Sequence, residues 1–407
     1  MKKTILTLVM SVSIMFTMAA DLYVNGSGNA NTYPTIQGAV NAANSGDNIY
    51  VATVGTYSEN VTVNNKSLFI IAAVANEEFT LSGSFTLNPG TGNEVTIIGM
   101  YNGNVTASGY GTVNLISSFI SSISNSSGYL KMNVYDCEVT NSFSIGNGAV
   151  KGCTILGGLT ISSISSANGD TIRIMGNHIE DGLTWSSTYA YFEICNNFIS
   201  YINVAYDQAR PIYVTGMNSS PGGTNLIANN TIYGYNSYYT SGSSYRPYGI
   251  SFSGSTTQNG QNLVVVNNYI KVENTYGSTN SNYVYTAIYS AYSMSNALIA
   301  NNFWYSAAGF ATNLSGSSLV DNGTSSTTWT YNSTSGILSS GTNMGLDQIE
   351  YRDINNTRND IGPSGGPHAW SNYNTTTGKA AVFNLELPFQ LYIGGNHNIK
   401  AKGFHKN

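Results

Sequence analysis

The sequence predicts an all-β protein: a single solenoid of stacked parallel strands with a short capping helix at its N-terminal end. Three observations carry that reading. First, charged residues make up only 9% of the chain, against about 25% in ordinary domains. Gly, Ser, Asn, Thr and Tyr take their place, and aromatics at 12% separate the chain from a disordered tract. Second, a frame of strand, bend and strand recurs as "VYDCEV", "VKGCTI", "IMGNHI", "EICNNFI", "IANNTI", "VVNNYI" and "IANNFW". Third, the spacing of this frame varies while its core stays fixed, the mark of a coil whose loops differ in length.

Taken in order, residues 1–20 read as an export signal. Lys2 and Lys3 precede an apolar run from Ile5 to Phe16, and Ala19 and Ala20 offer small residues for cleavage. The run is too short for a membrane-spanning helix, and no later segment approaches that length, so no span is expected once the signal is removed. "TIQGAVNAAN" then puts Ile36, Ala39, Val40 and Ala43 on one helical face. A helix there covers the open end of a strand stack, which otherwise exposes apolar side chains and unpaired edges. A Gly46–Asp47 turn leads into alternating strands at Ile49 and Val51 and at Val61 and Val63.

The repeat is anchored at Cys137, Cys153, Asn177, Asn197, Asn230, Asn268 and Asn302, which lie 16 to 38 residues apart by subtraction of their numbers. Three residues before each anchor stands an aliphatic (Val134 to Ile299), and two after it another apolar residue (Val139 to Trp304). Coils stacked about 4.8 Å apart turn such positions into columns. The aliphatic columns fill the interior. The anchors sit at a bend, where an Asn satisfies its amide on the Asn of the next coil, forming a structural ladder. Cys137 and Cys153 read as small buried hydrophobes in the same column. With Cys195 they make an odd count, which is no disulfide framework. A Cys137–Cys153 bridge is the second reading. The β-helix is expected over 21–373. Residues 374–407 alternate at Val382, Phe383, Leu385 and Leu387 and end basic, as an extra strand segment or a sorting tail.

The stretch "TIQGAVNAANSGDNIYVATVGTYSENVTVNNKSLFIIAA" resembles the opening of right-handed parallel β-helix proteins of the pectin-lyase-like superfamily. Its helix, Gly-Asp turn, short strand, Gly-x-Tyr-x-Glu segment (Gly55, Tyr57, Glu59) and second strand follow that order, with one extra residue before Gly55. The coils from Val134 to Trp304 support the likeness. "RDINNTRNDIGPSGGPHAW" is similar to the closing segment of many exported bacterial members, often surface proteins. The resemblance implies a right-handed parallel β-helix and an extracellular or cell-surface location. It also implies that polysaccharide lyases, esterases and glycosidases are among the relatives. The lyases use clustered Asp with calcium and a basic residue.

Fold does not give function. A net charge of -5 offers no basic patch for nucleic acid. Outward positions after the anchors place no two acids in adjacent coils. The best acid–base cluster is His178, Glu180 and Asp181, weighed against a plain solvated face. Asp207 with Arg210 is a weaker candidate in an inserted loop, and Arg173 and Glu193 read as a stacked ion pair. The same face carries aromatics at Phe198, Tyr233, Tyr269, Phe303 and Tyr305, platforms suited to sugar rings. Tyr-rich inserts at 233–249 and 276–293 flank them and either recognise a ligand or fold over the face and bury it.

The expectation is therefore an exported β-helix protein that binds polysaccharide or a cell-surface glycan without turnover. A lyase or glycosidase is the alternative, and a self-assembling stalk the third reading. No cofactor is expected, with calcium entering only under the lyase alternative.

Overall fold

The computed structural model describes residues 19–24, 31–75, 77–125, 127–162, 170–203, 209–236, 247–254, 262–274, 285–306, 309–314, 316–320, 322–324, 344–345, 347, 353, 355, 357–366, 369, 379–386 and 400–406. The chain is an all-β solenoid, a parallel β-helix. Among the described residues its first sheet has 14 strands, running from the edge strand Thr32–Tyr33 through Asp21–Val24 and Asn48–Val51 to Gly316–Val320, with every pairing parallel. The other coil strands build two further parallel sheets. The long strands Met100–Ala107 and Phe119–Asn125 join those two by running through both. Parallel strands of one sheet connect through right-handed crossovers as a rule, which is the expected hand here.

Side chains alternate across each strand, so in-register pairing sorts them into columns. The column Ile97, Leu115, Val134, Val150, Ile174 and Ile194 continues through Ile227, Val265 and Ile299. All nine are 0% exposed. Seven of them, Val134 to Ile299, are the aliphatics that precede the anchors in the sequence frame, and Ile97 and Leu115 extend the column to earlier coils. Together they form one continuous core, in which Trp185, Phe192 and Phe252 are among the largest fully buried side chains.

The opening motif proves to be a set of caps. The helix is Ile36–Ala42, with Ile36, Ala39 and Val40 buried against the first coils. Thr35 caps it by accepting from Gly38 N at 3.0 Å, and the Glu59 carboxylate accepts from Ile36 N at 2.8 Å and Gln37 N at 2.9 Å. At the other end Lys66 Nζ donates to Val40 O at 2.9 Å and Ala43 O at 2.7 Å. Anion at the N-terminus and cation at the C-terminus both match the helix dipole. Asp47 accepts from Ala20 N at 2.8 Å and Asn44 N at 2.7 Å, and Tyr57 OH donates to Val24 O at 3.0 Å. Glu59 and Asp47 are thus occupied by the backbone.

Strand coils run from Asp21 to Thr324, and Lys379–Glu386 pairs antiparallel with Lys400–Lys406. Residues 1–18, which hold most of the export-signal reading, lie outside the described residues. No described helix is long and apolar enough to cross a membrane.

Candidate functional site

Each repeat leaves the first sheet through a two-residue bend. The first residue has left-handed φ at Asp136 (52°), Gly152 (66°), Gly176 (65°), Asn196 (58°), Asn229 (56°), Asn267 (58°) and Asn301 (52°). Gly, Asn and Asp tolerate that region best, so the frame reads D-C, G-C, G-N and then N-N.

The second residue points inward. Asn177 Nδ2 donates to Asn197 Oδ1 at 2.9 Å, Asn197 to Asn230 at 3.0 Å, Asn230 to Asn268 at 2.9 Å and Asn268 to Asn302 at 2.9 Å. The same oxygen also accepts the backbone N–H of the preceding Asn, as in Asn230 N to Asn268 Oδ1 at 3.0 Å. The other amide proton goes to a coil carbonyl, as in Asn230 Nδ2 to Ile194 O at 2.8 Å. The ladder extends one rung beyond the predicted anchors, to Asn322 at 3.0 Å. Asn322 precedes Gly323 and stands outside an Asn-Asn pair, which hid it in the sequence. The five predicted Asn are 0% exposed, so their amides are committed to the fold.

Cys137, Cys153 and Cys195 are free and buried, and burial pushes the Cys137 and Cys195 thiols up, away from reactive thiolate. Asn177 Oδ1 accepts from Cys153 N at 2.9 Å, which ties the Cys rungs to the ladder.

The closing segment of the sequence lies along these bends. Asn196 Nδ2 donates to Pro363 O at 2.9 Å and Gly365 O at 2.6 Å. Asn229 Nδ2 donates to Asn359 Oδ1 at 2.7 Å and Asp360 O at 2.8 Å, and Gly362 N donates to Asn267 O at 3.0 Å. Asp353 Oδ1 accepts from Gly366 N at 2.6 Å and holds the segment's own turn. Ile361 packs on Tyr269, with Phe303 beside it.

This arrangement corrects the expectation of one open aromatic stripe. Tyr269 is 3% exposed, because the closing segment covers it, and Phe198 is 7% exposed, edge-on to His178 at 4.9 Å. Phe303 and Tyr233 are half-buried, and Tyr305 is 45% exposed. Residues 237–246 and 276–284 of the Tyr-rich inserts, and Asp207, lie outside the described residues.

What stays accessible is a compact aromatic and ionic patch. Tyr233, Lys271 and Tyr305 stand in register on three successive coils. Lys271 Nζ lies 3.0 Å from Glu273 Oε1 and 5.5 Å above the Tyr233 ring. Tyr233 OH donates to Glu273 Oε2 at 3.1 Å, and Tyr235 stacks on Tyr233 with ring centroids 6.3 Å apart. Burial, and then the Glu273 charge, push the Tyr233 hydroxyl up, so it remains a protonated donor. On the adjoining sheet the Arg210 guanidinium sits 3.9 Å over the Tyr213 ring, and Tyr248 stacks on Tyr289 at 4.2 Å. Sequence reasoning missed Tyr213, which lies outside both the Asn frame and the Tyr-rich inserts, while Tyr235, Tyr248 and Tyr289 fall within those inserts and stand on strands.

The acid–base candidates are looser. His178 Nε2 is 3.8 Å from Glu180 Oε1, beyond a hydrogen bond. Glu180 and Asp181 are exposed. Burial holds the His178 pKa below its usual value, with Glu180 opposing. Arg173 Nε meets Glu193 Oε2 at 2.8 Å on the surface, the expected stacked pair. Another acidic place lies where the first detected repeat meets the coils before it. Tyr101, Phe119 and Glu138 follow one another in a column, Tyr101 stacks on Phe119 at 4.8 Å, and burial followed by the Glu138 charge raises the Glu78 carboxyl. Among the described residues no three His, Cys, Asp or Glu side chains converge as a metal site would need.

No protein-family model, no curated protein and no solved structure matches this chain; what its geometry establishes is an all-β parallel β-helix with an internal asparagine ladder and an aromatic, ion-paired outer patch.

Proposed function

We propose that the chain is an exported surface protein of the pectin-lyase-like kind that binds polysaccharide or cell-surface glycan without turnover. The observation that carries this is the patch formed by Tyr233, Lys271, Glu273 and Tyr305. Flat rings take the apolar faces of sugars, while a fixed ammonium, carboxylate and hydroxyl offer directed hydrogen bonds at the edge. The patch is preorganised by its own ion pair and in-register strands, so little ordering is needed on binding. Affinity electrophoresis against acidic and neutral polysaccharides tests it: retardation by at least one glycan, weakened in Tyr305→Ala and Lys271→Ala, supports the reading. Equal mobility of wild type and variants in every glycan sinks it.

An enzyme is the second reading, favoured by one observation. Glu78, whose carboxyl is raised by burial and then by the charge of Glu138, resembles an acid set against a base better than the 3.8 Å pair of His178 and Glu180 does. It predicts release of reducing or unsaturated ends, with calcium added and omitted, that disappears in Glu78→Gln and persists in Tyr305→Ala.

A further inference from the structure

The outer face of the third sheet carries a regular array that neither reading uses. Strands Asn60–Asn64 and Ser84–Asn88 pair in register with each other and with the second halves of Met100–Ala107 and Phe119–Asn125. Thr62, Thr86, Thr106 and Ser124 therefore stack in one outward column. The column continues through Ser144, Thr160 and Thr184 before Tyr213 interrupts it. Two residues back along the first four strands, Asn60, Ser84, Asn104 and Ser122 make a second column. Rungs repeat at about 4.8 Å, and the two columns stand about 6.7 Å apart along the strands.

Three properties of this lattice bear on what it binds. It is rigid: the residues between the columns, Val61, Phe85, Val105 and Ile123, are buried in the core, and Thr is stiff about χ1. It is open: Thr62, Thr86, Thr106, Ser124 and Thr160 are exposed, and the hydroxyls of Thr62, Thr86 and Thr106 bond to no described residue. In the second column Ser84 Oγ donates to Asn60 Oδ1 at 2.9 Å and Ser122 Oγ to Asn104 Oδ1 at 2.6 Å, which fixes those side chains in place. Its two columns are also neutral and free of aromatic side chains from the Thr62 rung to the Ser124 rung, whereas the patch proposed for glycans has both charges and rings.

We propose that this face binds the surface of ice. Each hydroxyl or amide makes one weak bond to water, worth little alone against competing liquid water. A lattice held in two directions by the backbone is different, because it meets a solid whose oxygens also repeat in two directions at similar spacing. Many weak bonds then form together, and the stiff side chains lose almost no freedom. A glycan chain would look for ring platforms and an anionic polymer for cations, and this face offers neither. The inference is independent of the glycan patch, which lies on later coils.

The test is slow directional freezing of the purified protein, with the fraction trapped in ice compared with that of a non-binding protein. Wild type is expected to be enriched in the ice, and Tyr305→Ala equally so. Thr86→Lys/Thr106→Lys, with two long cations on adjacent rungs of the open column, should fall to the non-binding level while still melting as a folded protein, its melting temperature lowered only slightly by their repulsion. Wild type left in the liquid overturns the proposal, whether or not the double variant folds. So does a folded double variant that still enters ice. A parallel sedimentation with crystalline cellulose separates the remaining occupant: loss of cellulose binding in the double variant, with no ice enrichment of wild type, also overturns it and gives the face to a polysaccharide solid.

Discussion

Asn230 shows how one residue type holds the solenoid together. Its Oδ1 accepts two bonds from Asn197, and its own amide bridges to Asn268 and to the Ile194 carbonyl. Asn230→Leu fills the space but leaves the Asn197 amide and backbone N–H without an acceptor. A loss of about 1–3 kcal/mol is expected, read as a lowered urea midpoint. An unchanged midpoint would mean that water reaches the column. His178 gives a pH signature of the opposite kind. Burial depresses its folded pKa below the unfolded value, so the unfolded chain binds the proton more readily. The contribution is intact above the unfolded pKa of about 6.5 and is lost as pH falls through that value toward the folded one. His178→Gln should therefore flatten the decline in stability below that pH, measured by melting temperature across a pH series.

The N-terminal helix and the closing segment are the two elements that finish the coil stack. Seven residues are too few for a helix to persist alone. Its termini are satisfied by Thr35, Glu59 and Lys66, which come from outside the helix proper. Glu59→Ala removes acceptors from two backbone N–H groups at once and should cost about 1 kcal/mol. Faster amide exchange at Ile36 and Gln37 than in wild type would check it. The closing segment does the same for the bends, converting a solvent-facing corner into the buried contact of Ile361 with Tyr269. That contact divides the former aromatic stripe. Tyr269→Ala is expected to open a cavity and cost about 3 kcal/mol or more, by analogy with large-to-small core changes. Tyr305→Ala should leave the melting temperature unchanged and weaken glycan binding by about 1 kcal/mol. Paired melts and binding titrations on these two variants separate the covered ring from the open one.

At the scale of the whole molecule, the parallel stack explains the odd composition. In-register coils turn every recurring residue into a column, and a column of like charges would repel along its length. Uncharged Asn, Ser and Thr can bond to copies of themselves, and apolar residues can pack on copies of themselves. Low charge is thus a consequence of the architecture. The columns also divide the surface by coil: hydroxyls and amides on the earlier rungs of the third sheet, tyrosines on its later rungs, and the ion-paired Tyr233 patch on later rungs of the second sheet. Glycan binding assigned to the later coils should accordingly survive Thr86→Lys/Thr106→Lys, checked in the same electrophoresis.

The all-β class, the capping helix with its buried Ile36, Ala39 and Val40, and the column through Val134, Ile194 and Ile299 were legible because each follows from periodicity and spacing, which are properties of the chain alone. The Asn anchors were legible for the same reason, and the left-handed first Asn of each pair explains why they come doubled. Which outward side chains remain outward was another matter. Alternation says that Phe198 and Tyr269 leave the core, and the strands obey it. Whether Tyr269 then meets water depends on a segment some 90 residues beyond it that folds back along the bends, by subtraction from Ile361, whereas Phe198 is packed edge-on to His178. The hydroxyl lattice likewise needs register across coils whose loops differ in length, and unequal loops erase that register from the sequence. Local pattern fixed the rungs; long-range packing alone decided which face of each rung was covered and which was left open.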